Sequence, residues 1–242
     1  MKYILAASFA LVGEAASEVY RKSASLVSAV SIPTIGIWLV SIFAAGLAAY
    51  PFFRTVLALA TVPLYVIMAT ACHRIVLIGE NSLPHRWGLF WTERETRFLG
   101  WFIGILFLYA GLSLPTAIIL AIFSNPPEIG IATTIATFTS YVLVAYFQGR
   151  FSLVLPATAV DERLDFKKSW AMSRGKGMLI AIALVIPTTI LVPIEILIEG
   201  VIADELSPIA DLVWLLIALP IFAIEIAIIS LAYDKLASQG RR

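Results

Sequence analysis

The stretch 212–233, LVWLLIALPIFAIEIAIISLAY, decides the class of fold to expect. Glu225 is its one charged residue, and the stretch is longer than the ~20 residues that a helix needs to cross a hydrocarbon core of ~30 Å. The whole chain shares this character, because 60% of its 242 residues are hydrophobic and 14% are charged, whereas soluble domains are about 45–50% apolar. The sequence therefore predicts an integral membrane protein.

Five further apolar runs are long enough to cross a bilayer. Backbone polar groups must be hydrogen-bonded inside lipid, and these runs are too long and too weakly alternating for barrel strands. We therefore expect a single all-α membrane domain over residues 1–242. Its six predicted transmembrane helices are 24–49, 53–79, 98–123, 130–155, 177–199 and 210–233.

The distribution of basic residues predicts the orientation of these spans. Of the 17 Lys and Arg residues, all but Arg54 fall in the two termini, in the connections 80–97 and 158–176, or, as Arg74 and Arg150 do, at the ends of spans that lead into these connections. Basic residues accumulate on the cytoplasmic side, so both termini are expected there. The first 17 residues resemble a signal peptide, but its removal would put the basic loops on the wrong side. We expect 3–20 to be a helix on or near the inner surface, with Glu14 and Glu18 on its wet face.

Regular spacing along the chain suggests a threefold repeat of helical hairpins. Arginines recur 76 or 77 residues apart at the predicted inner ends of spans, and prolines recur 76 and 81 apart at the outer turns. The possible repeat units are 1–79, 80–156 and 157–242. Any six-helix chain with even loops would show similar spacing, so this alternative stays open. The residues concerned are Arg21, Arg97 and Arg174, Arg74 and Arg150, and Pro51, Pro127 and Pro208.

Two predicted inner segments combine aromatic and basic side chains. In 161–174, acids precede bases, which suits a helix dipole, and Phe166 and Trp170 share one face. Such a helix is expected to dip its rings into the headgroup region, with anionic lipids of the bilayer as partners. The alternative is ordinary positive-inside anchoring, which we favour. The predicted lipid or interface contacts are Trp87, Trp91, Phe166, Trp170 and Arg174.

Four polar residues are expected inside the membrane. Glu225 lies about 12 Å from the inner end of the last span at ~1.5 Å per residue, and ionisable groups at such depth are normally paired or face a cavity. We predict that Arg150 pairs with Glu225, and Arg74 and His73 are the other candidate partners. This arrangement is interpreted as a clamp between spans two, four and six, with a polar or proton-coupled pocket as the alternative.

Catalytic and metal-binding motifs are missing from the sequence. It contains no HExxH, CxxC or GxSxG motif, and Cys72 is its only cysteine. No segment between the spans is long enough for a separate catalytic or nucleic-acid-binding domain. We therefore expect no catalytic residue, cofactor, metal site or nucleic-acid partner, and we predict that the protein is not an enzyme.

The segment 149–177 suggests a family. GRFSLVLPATAVDE (149–162) and FKKSWAMSRGKG (166–177) resemble a pattern in bacterial polytopic proteins similar to the membrane domain of some glycerophosphodiester phosphodiesterases. The hydrolase of that family is a separate soluble barrel, so no catalytic residue carries over. The resemblance implies a stand-alone multi-pass protein of the bacterial inner (plasma) membrane.

Two functions fit these features. The first is a non-enzymatic scaffold or accessory subunit of a membrane assembly or lipid process, for which the expected partner is another membrane protein. The second is a small transporter or lipid-handling protein with a polar intramembrane cavity near Arg150 and Glu225. A filled core around these residues would favour the first function, and a water-accessible cavity would favour the second.

Overall fold

The structure, a computed structural model, describes residues 2–47, 49–83, 89–122, 130–201 and 207–240. Over these residues the chain forms helices and no β-strand. In chain order the helices are α1 (Lys2–Arg21), α2 (Ser23–Gly46), α3 (Pro51–Ala60), α4 (Val62–Leu77), a short 3-10 turn (Glu80–Ser82), α5 (Glu93–Ile122), α6 (Gly130–Phe151), α7 (Val154–Ala159), α8 (Phe166–Met172), α9 (Gly177–Val201) and α10 (Ser207–Gly240).

The expected class, an all-helical multi-pass membrane protein, is confirmed at the level of five or six candidate spans. The bent pair α8 and α9, with a bend of 98° between Phe166–Met172 and Gly177–Leu191, is the sixth candidate. The other five within the described residues are Ser23–Gly46, Pro51–Leu77, Glu93–Pro115, Thr137–Ala159 and Leu212–Gln239. The orientation of these spans and the threefold repeat stay predictions.

The second predicted span is interrupted rather than continuous. α3 ends at Ala60 and α4 begins at Val62, so the break falls at Thr61. Pro63 follows directly, and a proline has no backbone N–H for the carbonyl one turn before it. The backbone tightens there, because the Thr61 N–H donates to the carbonyl of Ala58 at 3.2 Å. Proline therefore explains why one apolar run gives two helices.

α1 is a helix as predicted, and it packs against protein. Leu11 and Ala15 belong to the main buried cluster together with side chains of α9 and α10, and the Ser8 hydroxyl donates to the carbonyl of Leu179 at 2.9 Å. Its acids form ion pairs: Glu14 with Lys235, and Glu18 with Arg21 and Lys22. Burial acts to raise the pKa of Glu18, but the hydrogen bond and charge of Lys22 outweigh it, so the pKa is lowered. α1 thus fastens the start of α9 to the end of α10.

A close contact between α6 and α9 fixes the position of the segment 161–174, which connects these two helices. A Cβ on Gly149 would lie 2.7 Å from the backbone nitrogen of Ala181 and 2.8 Å from the carbonyl oxygen of Gly177. Real side chains do not approach a backbone so closely, so this crossing requires glycine. Beyond it, the short helix α7 is almost wholly buried and packs against α4 and α5. This packing sets where Arg150 and Asp161 lie.

Candidate functional site

Arg150, near the end of α6, lies in a cage of uncharged groups. Its Nε donates to Ser173 Oγ at 3.1 Å, its Nη1 to the Tyr146 hydroxyl at 2.9 Å, and its Nη2 to the carbonyl of Trp170 at 2.5 Å. The guanidinium carbon lies 3.4 Å from the centroid of the Trp170 ring, which covers it. A cation over an indole face is stabilised by the ring quadrupole, most strongly where water is excluded. With 6% of the residue exposed, its charge is satisfied inside the protein.

The same cage is closed from the other side by two buried serines of the α8 segment. Ser169 Oγ donates to the carbonyl of Arg150 at 2.5 Å, and Ser173 Oγ donates to the carbonyl of Ser169 at 2.9 Å. These bonds satisfy polar groups that would be costly to bury alone. They tie α8 to the end of α6 through both the main chain and the side chain of Arg150.

The aromatic rings of α8 face protein. Trp170 stacks on Phe147 and Phe151 at centroid distances of 5.7 and 5.3 Å, and Phe166 lies edge-on to Trp101 at 4.8 Å. Both Phe166 and Trp170 are half-buried in these contacts. Contact of these two rings with lipid headgroups stays a prediction, but the packing of α8 against α5 and α6 is a contact that sequence analysis missed.

The predicted helix 161–174 is also shorter than expected. α8 begins at Phe166 because Asp165 caps it, accepting from the Lys168 backbone nitrogen at 2.7 Å. Residues before it are not helical, and Asp161 has a positive φ of 64°. A run of acids before bases fits a helix dipole, but here the first acid turns the chain and only Asp165 acts at the helix end.

The predicted pairing of Arg150 with Glu225 is wrong. The Glu225 carboxylate accepts from Thr188 Oγ1 of α9 at 2.7 Å. The physical reason is that depth along a helix does not determine the direction in which a side chain points. Arg150 instead finds neutral acceptors in the next segment of the chain, so neither charge needs the other.

The other two predicted intramembrane residues also lie in separate places. His73 is buried in α4, and its Nδ1 lies 2.7 Å from Ser230 Oγ of α10. Arg74 donates to the carbonyl of Ser82 at 2.9 and 3.1 Å and to the carbonyl of Ala159 at 2.8 Å. The four residues expected to form one site therefore form four local contacts.

Asp161 lies among three arginines. We call this group, Asp161 with Arg74, Arg94 and Arg97, the Asp161 network. The carboxylate lies 3.3 Å from Arg74 Nη1, 3.1 Å from Arg94 Nε and 3.5 Å from Arg97 Nη2. One acid thus joins the end of α4, the start of α5 and the turn after α7. The sequence places Arg74 in a predicted span, Arg94 and Arg97 in the connection 80–97, and Asp161 in the connection 158–176. Asp161 adopts a positive φ in the turn after α7, a conformation that aspartate tolerates better than most residues.

A buried acid lies behind this network. Glu95 is 0% exposed, and its Oε2 accepts from the Thr92 backbone nitrogen at 2.8 Å and from the Thr92 hydroxyl. Its Oε1 lies 3.6 Å from Arg94 Nη1, which is close enough for an ion pair but too long for a hydrogen bond. Glu95 Oε1, Arg94 Nη1 and Arg97 Nε are buried atoms for which the structure gives no hydrogen-bond partner. Sequence analysis did not single out Glu95, although Thr92 followed three residues later by Glu is a capping-box pattern.

The remaining predicted interface residues are at the surface where the structure describes them. Trp91 is 43% exposed, and its indole N–H donates to Thr96 Oγ1 at 3.0 Å. Arg174 is exposed in the turn after α8, while Trp87 lies outside the described residues. Their contact with lipid stays a prediction. Among the residues that the structure describes, no three His, Cys, Asp or Glu side chains are grouped to hold a metal ion.

Comparison with known proteins gives no relative. No family model matches the chain, and neither a curated protein nor a solved structure was found to be similar to it. The resemblance of 149–177 to the membrane domain of glycerophosphodiester phosphodiesterases stays a prediction.

Proposed function

We propose that the chain is a non-catalytic scaffold or accessory subunit of the bacterial inner membrane, with both termini in the cytoplasm. The observation that carries this proposal is the cage around Arg150. An arginine that works on a substrate must present its charge to a cavity, whereas this one gives its donors and its ring face to Ser173, Tyr146 and Trp170. Its charge is used to hold the protein together.

The Asp161 network supports the same proposal. It joins the end of α4, the beginning of α5 and the turn after α7, and the Arg150 cage then joins α6 to α8. The two clusters hold together segments that are separate in the sequence. Lys167, Arg174 and Trp91 are exposed in or next to these segments, where a protein partner or lipid headgroups can reach them.

Site-specific photocrosslinking in native membranes tests the proposal. A photoreactive residue at Lys167 or Arg174 is expected to give a discrete adduct, because both positions are exposed beside α8. Phe52, exposed at the start of α3 and predicted to lie on the opposite side of the membrane, is the matched control. The adduct should weaken in the variant Arg150→Gln, because this change removes bonds that hold α8 to the end of α6. Equal adducts at all three positions, or none at the two positions beside α8, would contradict the scaffold.

Glu225 favours a second candidate function, a small proton-coupled transporter. Its carboxylate lies within a candidate span and accepts a hydrogen bond from the Thr188 hydroxyl of the neighbouring helix α9. A carboxyl group in such surroundings can bind and release a proton during transport. Proteoliposomes with an imposed pH gradient should then show proton flux that Glu225→Gln abolishes and Thr189→Val, a change in the next residue of α9, leaves intact. Absence of flux in the unaltered protein leaves the scaffold as the function.

A further inference from the structure

A cleft of about 380 Å³ lies beside the Asp161 network. One wall comes from the first turns of α5, and the other comes from the segment that leads into α8. Six of the residues that line it carry the argument: Glu93, Arg97 and Trp101 on α5, and Arg163, Leu164 and Lys168 opposite. The cleft therefore has charged groups of both signs and an apolar wall.

The basic groups of the cleft are accessible. Arg163 is exposed, the Lys168 side chain is 66% exposed, and the Arg97 side chain is partly exposed beneath them. Arg97 Nε is buried without a hydrogen-bond partner, and guanidinium groups bind phosphate oxygens through paired N–H donors. All three side chains line the cleft, and Lys168 Nζ lies 3.8 Å from Asp165 Oδ2, too far for a hydrogen bond, so it can turn toward a phosphate.

The acids of the cleft are not equivalent. Glu162 accepts a hydrogen bond from the Tyr233 hydroxyl, and Asp165 caps α8, so both have structural roles. Glu93 differs, because its side chain is 87% exposed and its carboxylate lies 3.9 Å from Arg97 Nε, beyond hydrogen-bond distance. It can turn away from Arg97 and receive a cation at the mouth of the cleft.

We propose that this cleft binds the headgroup of an aminophospholipid, in which a primary ammonium is joined to a phosphodiester. The phosphate lies against Arg97, Arg163 and Lys168, and the ammonium pairs with Glu93. Trp101 and Leu164 contact the glycerol end of the lipid, since a tryptophan at the end of a span suits the membrane interface. This site does not depend on the protein partner proposed above.

The chemistry of the headgroup allows a sharp test by native mass spectrometry. The protein is offered equal amounts of phosphatidylethanolamine, phosphatidylcholine and phosphatidylglycerol with the same acyl chains. We expect retention of the ethanolamine lipid to exceed that of the other two by about fivefold. A quaternary ammonium cannot donate a hydrogen bond to Glu93, and glycerol carries no positive charge.

Variants separate the two ends of the headgroup. Glu93→Gln should remove the preference for ethanolamine over glycerol lipid, and Glu93→Asp should keep part of it. Lys168→Gln and Arg163→Gln should lower the retention of all three lipids, because all three carry the phosphate. Lys167→Gln is the matched control, an exposed base that does not line the cleft, and it should change nothing.

Each other outcome would overturn the proposal. Strongest retention of phosphatidylglycerol would make the cleft a site for anions, and equal retention of all three would make it ordinary annular lipid. Soluble phosphoethanolamine and inorganic phosphate distinguish the source of the ligand. Phosphoethanolamine at millimolar concentration should displace the lipid weakly, as expected of a site that binds this headgroup. Displacement by inorganic phosphate alone would show a general phosphate site, and displacement by phosphoethanolamine at a lower concentration than the lipid itself requires would show that a soluble metabolite, rather than a membrane lipid, fits the cleft.

Discussion

Arg74 and Arg150 lie 76 residues apart, near the ends of α4 and α6, yet the protein stabilises them by different physics. Arg74 donates to two backbone carbonyls and shares the Asp161 carboxylate with two other arginines. Arg150 has no carboxylate in contact among the described residues, and its partners are a ring, two hydroxyls and a carbonyl. The first arrangement depends on charge and the second depends on shape.

This difference has a consequence for how each region tolerates change. A neutral cage works only if each nitrogen of the guanidinium meets an acceptor, as it does here, because an unmet buried charge is strongly destabilising. An ionic network with a half-exposed carboxylate tolerates small movements, since water reaches it and the Coulomb attraction falls gradually with distance. The Arg150 region is therefore expected to be the more sensitive of the two.

The largest effect is expected where the Arg150 region has no room at all. Gly149→Ala places a Cβ against the backbone of Ala181 and Gly177, which can be relieved only by moving α6 away from α9. We expect a loss of about 3 kcal/mol, the upper end of ordinary overpacking costs. Thermal unfolding in detergent measures it. Gly111→Ala is the control, because a Cβ there meets nothing within 4 Å; equal stability of the two variants would disprove the close contact.

The next effect compares the two arginines directly. Arg150→Lys keeps the charge but loses the planar group that stacks on Trp170 and the fork that reaches Ser173 and Tyr146. We expect it to cost about 2 kcal/mol. Arg74→Lys should cost about half as much, because an ammonium can still reach a carbonyl and Asp161. Equal losses in thermal unfolding would mean that charge alone governs both regions.

A smaller effect distinguishes the regions by salt. Asp161→Asn keeps the positive φ, which asparagine tolerates, while it leaves three guanidinium groups without their shared anion. We expect a loss of about 1–2 kcal/mol at low salt that shrinks when ionic strength rises from about 0.1 to about 1 M and the Debye length falls to about 3 Å.

Two controls accompany this measurement. The loss caused by Arg150→Gln should not depend on salt, because the cage is closed to ions. Asp234→Asn, a change at an exposed acid of α10, should have almost no effect at any salt concentration. A salt-independent loss for Asp161→Asn would show that its side chain acts through its shape rather than its charge.

The smallest expected effect is a coupling close to zero between Arg150 and Glu225. Because each has other partners, the losses from Arg150→Leu and Glu225→Leu should add within about 0.5 kcal/mol. A double-mutant cycle measured by unfolding gives this value. If the double variant were more stable than the sum of the two losses allows, the direct pairing of Arg150 with Glu225 that the sequence predicts would be supported instead.

The apolar runs of the sequence predict the helices well because membrane thickness sets their length. The expected fifth span, 177–199, has nearly the same ends as α9, Gly177–Val201. The break between α3 and α4 in the second span is explained by Pro63. The contacts of the charged residues could not be predicted in the same way. Hydropathy does not show in which direction a helix face points. The predicted pair of Arg150 and Glu225 therefore rests only on their similar depth along the spans.

The Asp161 network shows a second reason for this limit. Arg74 lies in α4 and Arg94 and Arg97 lie in α5, and Asp161 reaches them from the turn after α7, where its φ is 64°. Charge order along 161–174 predicts one longer helix, since it is consistent with the dipole. Tertiary contacts with Arg94 and Arg97 outweigh that local preference, and no sequence pattern within the segment records them.

The cage around Arg150 also imposes an order on biosynthesis. Two of its acceptors, the Trp170 carbonyl and the Ser173 hydroxyl, lie 20 and 23 residues further along the chain. When α6 first leaves the ribosome, these groups have not been made, and the arginine must stay at the aqueous boundary with Tyr146 as its nearest partner. The end of α6 can therefore be seated in this cage only after α8 and the turn that follows it have been made.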